Sequence, residues 1–204
     1  MEIPFLSNII NVGQFNFWGI PKNANTSIKI ALIDNNSNKP KIESTYFRRY
    51  GVVKTIQYKE IERWVHEADA SNYITKDEAI SNGEFNFTVL RDPIDRFKSQ
   101  LAYNRKLKSI KYSDISSVLS YLLETPNDSR EEIFRSQYSY VEYENTIIPK
   151  LYSMEQLDKV EALINKKLPT VNTTNSSDYV LSHTDIDQLY QIYSKDFEIY
   201  KSVE

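Results

Sequence analysis

Cysteine is absent from the 204 residues, which excludes disulfide frameworks and thiolate metal sites. Histidine occurs only as His66 and His183, too few for a multi-histidine metal centre. No stretch approaches the roughly 18 apolar residues of a membrane span, and the opening M-E-I-P-F-L-S-N-I-I-N lacks a basic n-region and a long apolar core. The expectation is a soluble, cytoplasmic protein with no membrane span. An excess of positive charge is missing too: 25 Lys and Arg face 28 Asp and Glu, a formal net charge of -3, which argues against a nucleic-acid partner. Glycine numbers four, and no G-x-x-x-x-G-K-[ST] loop is present. What remains is ordinary globular composition, 40% hydrophobic and 26% charged, on a length that suits one domain over 1–204.

The first informative stretch is Phe15 to Lys29, F-N-F-W-G-I-P-K-N-A-N-T-S-I-K. An aromatic, apolar run reads as a buried strand and stops at Gly19 to Pro21. A polar loop then leads into Ile28, Ala31 and Leu32 at helical spacing. The first amides of a helix lack intrahelical acceptors and sit at the positive end of its dipole, so such a loop suits an anion. Lys22 adds a full charge, and Thr26 and Ser27 add hydroxyl donors. A strand and a helix joined by a polar loop that binds nothing would look similar.

Asp34 to Pro40 reads as a turn-forming loop, and I-E-S-T-Y-F-R-R-Y-G after it has no clean period and suits a flap. Val52 to Tyr58 is β-branched and predicts a second strand, followed by a helix over Lys59 to Ala70 with Ile61, Trp64, Val65 and Ala68 on one side. His66 points away from that stripe.

The second informative stretch is Phe85 to Tyr103, F-N-F-T-V-L-R-D-P-I-D-R-F-K-S-Q-L-A-Y. Phe85, Phe87, Val89 and Leu90 predict a strand, Asp92 an N-cap, and Pro93 the first helical position. Ile94, Phe97 and Leu101 form one face of the helix, while Asp92, Arg96 and Ser99 form another. Arg91 and Ser99 suit one phosphate, because a guanidinium donates two parallel bonds to an oxyanion. The competing reading has Asp92 as the cap, Arg96 paired with it on the surface, and Arg91 in a salt bridge at the sheet end.

Further on, Ile115, Val118, Leu119 and Leu122 predict a core helix ending before Pro126, and Glu131 to Tyr138 another helix. The tyrosines of Y-S-Y-V-E-Y-E read as half-buried packing. Thr146 to Tyr152 predicts a third strand, near an edge because of Pro149. Ser153 and Gln156 form a capping box for a helix bearing Leu157, Val160 and Ile164. After the polar loop Leu168 to Ser177, Ser182 caps a final helix with Ile186, Leu189, Tyr190, Tyr193 and Phe197 facing inward, where His183 is given no chemistry. Strands alternating with helices indicate an α/β domain with a mainly parallel central sheet flanked by helices. Both informative loops then fall at the carboxyl ends of strands, where such sheets bind ligands.

Taken together, P-K-x-x-x-T-S after one strand and R-D-P-x-x-R-x-x-S-x-x-x-Y after another resemble the sulfotransferase family, in particular its carbohydrate-type members with their P-loop-like fold. The segment Leu151 to Ile164, the loop Val171 to Ser177 and the terminal I-Y-S-K-D-F-E-I-Y extend the likeness over most of the chain. The resemblance implies a donor, 3′-phosphoadenosine-5′-phosphosulfate (PAPS), and a hydroxyl acceptor, a glycan. It implies a 5′-phosphosulfate loop of Lys22, Asn23, Ala24, Asn25, Thr26 and Ser27, and a 3′-phosphate clamp of Arg91 and Ser99. Many relatives carry glycine where Asn25 stands, and asparagine tolerates the left-handed conformation better than most residues. Lys22 is expected to stabilise the leaving group, with no metal required. Family members place a histidine or glutamate base after a strand between the two motifs, for which Glu60 is the first candidate here and His66 the second. Two other readings stand beside this one: a nucleotide-dependent kinase, and a catalytically inactive nucleotide-binding or interaction domain of the same fold. For the acceptor pocket the candidates are the loops Asn35 to Tyr50 and Lys106 to Asp114, whose Arg48, Arg49, Lys106, Lys108 and Lys111 suit an anionic glycan or are simply solvated charge.

Overall fold

The computed structural model describes residues 8–33, 44–48, 51–56, 73–106, 114–170 and 178–203. The described chain opens with a hairpin, β1 (Ile9–Val12) and β2 (Phe15–Trp18), whose two-residue turn begins at Gly13 with φ 62°. A positive φ at that place is why glycine stands there. Helix α1 (Asn25–Ile33) follows, then β3 (Ser44–Arg48), β4 (Gly51–Ile56), β5 (Tyr73–Ile74) and α2 (Lys76–Ser81). Next come β6 (Phe85–Leu90), α3 (Pro93–Lys106), α4 (Ile115–Glu124) and the short α5 (Tyr138–Val141). The chain continues through β7 (Glu142–Tyr143), β8 (Thr146–Ile147), β9 (Lys150–Ser153), α6 (Leu157–Ile164), α7 (His183–Ile192) and α8 (Ser194–Lys201).

The main sheet has five strands in the order β5-β1-β2-β6-β9. Strands β2, β6 and β9 are mutually parallel, and only β1 opposes the rest. This is the α/β architecture expected. Strands buried on both faces need apolar side chains in both directions, which is why F-N-F-W and F-T-V-L read as continuous rather than alternating. Phe17, Phe87 and Val89 pack on one face against Ile28, Ala31 and Leu32 of α1 and Val160 and Ile164 of α6. Trp18 lies with Ile9 and Ala79, and Leu90 with Ile20, Val141 and Ile199. A helical core of Phe97, Leu101, Leu119, Leu122, Leu189 and Phe197 joins α3, α4, α7 and α8.

Four local expectations change. The β-branched run after Gly51 does not join the main sheet: it pairs antiparallel with Ser44–Arg48 in a separate two-stranded ribbon, because two strands a couple of residues apart find each other first. No helix forms over Glu131 to Tyr138; the chain makes a 3-10 turn at Glu132–Phe134 and then α5. The carbonyls of Ile133 and Arg135 are taken by side chains of α3, Arg96 and Gln100, instead of by amides one turn on. The strand expected over 146–152 is divided at Pro149 into β8 and the edge strand β9. The final helix breaks at Tyr193, whose buried hydroxyl donates to the carbonyl of Phe134 at 2.8 Å. The helix expected over 59–70 lies outside the described residues, and no described helix is long and apolar enough to cross a membrane.

Candidate functional site

The loop between β2 and α1 is shaped by close approach and by two left-handed residues. A Cβ on Gly19 would lie 2.4 Å from Oδ1 of Asn25 and 2.9 Å from the carbonyl oxygen of Asn8, so only glycine fits. Lys22 has φ 73° and Ala24 φ 54°. Non-glycine residues hold such angles only at a cost of about 1–3 kcal/mol each, and they persist where the surroundings over-determine them. The left-handed turn therefore falls at Lys22 and Ala24, while Asn25 is already the first residue of α1. The first turn of α1 carries no acidic residue, and its first long bond runs from the Ile28 amide to the Ala24 carbonyl, 3.1 Å. The preceding amides, with the half-exposed Thr26 and Ser27, make an electropositive terminus beside Lys22.

Asn23 turns the other way. Its side chain is buried and donates to the carbonyl of Val89 (3.0 Å) and to Gln137, and its amide donates to the Ile20 carbonyl (3.3 Å). It shapes the loop from behind.

The second loop leaves β6 through Arg91 and Asp92. Asp92 is the cap that the sequence predicted, accepting the Asp95 amide at 2.9 Å. Nη1 of Arg91 donates to the backbone carbonyl of Lys22 at 3.3 Å, so the two loops touch. Burial holds the Arg91 guanidinium below its ordinary value, opposed by Asp95, Asp92 and Glu155. Arg96 is not the surface partner of Asp92. It is 2% exposed, and its Nε, Nη1 and Nη2 donate to the carbonyls of Pro21 (3.1 Å), Arg135 (2.9 Å) and Ile133 (3.3 Å).

Arg96, Ser99 and Tyr103 follow one another at i, i+3 and i+7, on one stripe of α3. Both ends of that stripe meet the first loop: Arg96 at Pro21, and Tyr103 under the ammonium of Lys22, 4.3 Å from ring centroid to Nζ. Ser99 is buried between them. The structure thus brings Lys22 and Arg91 together, with Ser99 on the stripe facing the same loop. Glu60 and His66 lie outside the described residues.

Three contributors had no signal in the sequence. Glu155 follows β9 and accepts the Tyr200 hydroxyl at 2.9 Å. Burial pushes its carboxyl up, but hydrogen bonds from its own amide, Ser153 and Tyr200, with the charge of Arg91, hold it below the usual value. Gln137, fully buried, accepts the Arg91 amide at 3.0 Å and donates to the Arg91 carbonyl at 2.8 Å. Asp196 of α8 accepts the amides of Gln137 (2.8 Å) and Tyr138 (2.9 Å). The partners of these side chains are mostly distant, and several are backbone groups, which no spacing rule encodes.

The sequence profile of the sulfotransferase family matches residues 11–147, more than half of the chain, from β1 through both loops to β8. No curated protein and no solved structure gives a significant match.

Proposed function

The chain belongs to the sulfotransferase family, and from that premise we propose that it moves a sulfuryl group from PAPS to the hydroxyl of a carbohydrate acceptor. The observation that carries the reading is the 3.3 Å contact between Arg91 Nη1 and the Lys22 carbonyl. It joins the backbone of one cation-bearing loop to the guanidinium of the other, an arrangement that suits a nucleoside with phosphates on both its 5′ and 3′ oxygens.

The donor set suits that ligand: an ammonium, a guanidinium, hydroxyls and helix amides on two loops that touch. In this reading Lys22, Thr26, Ser27 and the first amides of α1 hold the 5′-phosphosulfate, and Asn23, Ala24 and Asn25 give the loop its course. Arg91 and Ser99 hold the 3′-phosphate. The bound donor supplies an activated sulfuryl group on a phosphate leaving group. An acceptor oxygen bonds to sulfur as the bond from sulfur to the 5′-phosphate oxygen breaks, and the acceptor proton passes to a base. Lys22 places positive charge where the leaving phosphate gains negative charge, the kind of contribution that dominates transfers with loose transition states. Glu60 is our candidate for the base, His66 the second.

Titration calorimetry with 3′-phosphoadenosine-5′-phosphate, adenosine 5′-phosphate and ATP tests the donor. We expect clear preference for the bisphosphate, lost in Arg91→Ala. Equal affinity for bisphosphate and 5′-monophosphate would overturn the assignment, and preference for ATP would favour a kinase. Incubation with labelled donor and a panel of sugars tests the transfer; binding without transfer to any acceptor would leave an inactive nucleotide-binding domain.

A further inference from the structure

Gln137 belongs to neither anion loop, yet its side chain joins them. Its Oε1 accepts from Asn23 Nδ2 in the first loop and from the Arg91 amide in the second, and its Nε2 donates to the Arg91 carbonyl. A primary amide carries one acceptor oxygen with two lone pairs and two donors; here the oxygen serves both loops and one donor closes the pair with Arg91. No other uncharged side chain of that length offers the same set.

Gln137 is itself held from behind. Both carboxylate oxygens of Asp196 are occupied, Oδ2 by the backbone N–H of Gln137 at 2.8 Å and Oδ1 by that of Tyr138 at 2.9 Å. Asp196 lies on α8, beyond the residues 11–147 that the family profile covers. The series Asp196, Gln137, Asn23 and Arg91 is buried for its first three members, so its hydrogen bonds act in a low dielectric and fix one geometry.

We infer that Gln137, seated by Asp196, is a positioning residue that sets the spacing of the two loops for a ligand bearing two phosphate groups. The inference rests on the proposed reading of those loops. Its physical content is one of effective concentration: once one phosphate is held, the second binds cheaply only if its cradle already stands at the right distance. Loss of the strut should therefore weaken a bisphosphate far more than either monophosphate.

The test is titration calorimetry of wild type, Gln137→Met and Asp196→Asn with 3′-phosphoadenosine-5′-phosphate, adenosine 5′-phosphate and adenosine 3′-phosphate, each variant first checked as folded by circular dichroism. For Gln137→Met we expect bisphosphate affinity to fall about tenfold or more while each monophosphate moves by less than roughly threefold. An equal fall for all three ligands would mean a general structural defect and overturn the inference. Asp196→Asn keeps the question decidable should Gln137→Met not fold. Removing a negative charge by itself tightens anion binding, so a selective loss of bisphosphate affinity is a geometric effect, and unchanged or tighter bisphosphate binding overturns the inference. If wild type prefers the bisphosphate and both variants keep that preference, the strut alone falls. If wild type shows no preference, the two-phosphate reading falls and takes the strut with it.

Discussion

Arg96 donates its Nε to the carbonyl oxygen of Pro21 at 3.1 Å, fastening helix α3 to the start of the first loop. The other two nitrogens of the guanidinium are bonded to the carbonyls of Arg135 and Ile133, and its charge favours the ionised form of buried Asp196. Replacing it with Met, of similar volume, strands the carbonyls of Pro21 and Arg135, leaves that of Ile133 to Gln100 alone, and removes a charge that favours ionised Asp196. We expect Arg96→Met to cost about 3–5 kcal/mol in urea unfolding, and Arg96→Lys to recover less than half of that, since one ammonium cannot reach three divergent acceptors. A loss below about 1 kcal/mol for Arg96→Met would contradict the role given to these bonds.

Lys22 rests over Tyr103. A cation over an aromatic face at a partly exposed site is held by about 0.5–1 kcal/mol, enough to bias its position but not to trap it. Lys22→Ala should lower sulfuryl transfer by about 100-fold or more, the scale on which an electrostatic stabiliser acts. Tyr103→Leu should lower it only about two- to fivefold, and Tyr103→Phe, which keeps the ring, should match wild type. Initial rates with labelled donor decide this, and a wild-type rate in Lys22→Ala would remove Lys22 from the chemistry.

Two buried ionisable groups give stability a defined pH profile. Burial pushes the Asp196 carboxyl up from 3.8 to about 6, against Arg96, the Tyr138 and Gln137 amides and Arg130. The folded chain therefore keeps a proton that the unfolded chain has released, and the contribution of Asp196 to stability falls as pH rises from about 4 to about 6, then stays level. Burial lowers Lys29 from 10.5 to about 8, with Glu132 pulling the other way. There the unfolded chain holds the extra proton, so stability rises with pH between about 8 and 10.5. Each slope is at most about 1.4 kcal/mol per pH unit. Denaturant unfolding across both windows should show Asp196→Asn flattening the acid one and Lys29→Met the alkaline one; a variant with an unchanged slope would remove that residue from the account.

Much of this site is visible in the sequence because its parts are local. An apolar strand, a cap at Asp92 with Pro93 after it, the capping box of Ser153 with Gln156 and the cap at Ser182 each act within four residues. The edge position of β9 follows from Pro149 for the same reason. The competing reading of Arg96 as a surface partner of Asp92 fails because helical spacing says which residues share a face and not what that face meets: α3 is covered by a helical core on one side and by the first loop on the other. The strands β1 and β5 escaped for a different reason, being four and two residues long and paired with each other at the sheet edge.

The struts around the two loops end largely on peptide groups: Arg91 on the carbonyl of Lys22, Arg96 on that of Pro21, Asn23 on that of Val89, and Gln137 on both the amide and the carbonyl of Arg91. A peptide group is the same atom set whatever side chain hangs from it. The fastening of the two loops is thus indifferent to the side chains at their tips, and under the proposed reading substitutions at Thr26, Ser27 or the side chain of Lys22 would retune what the loops bind without remaking how they are held. For an engineer the chain offers a fixed bracket with interchangeable jaws, and for selection it separates the drift of specificity from the risk of collapse.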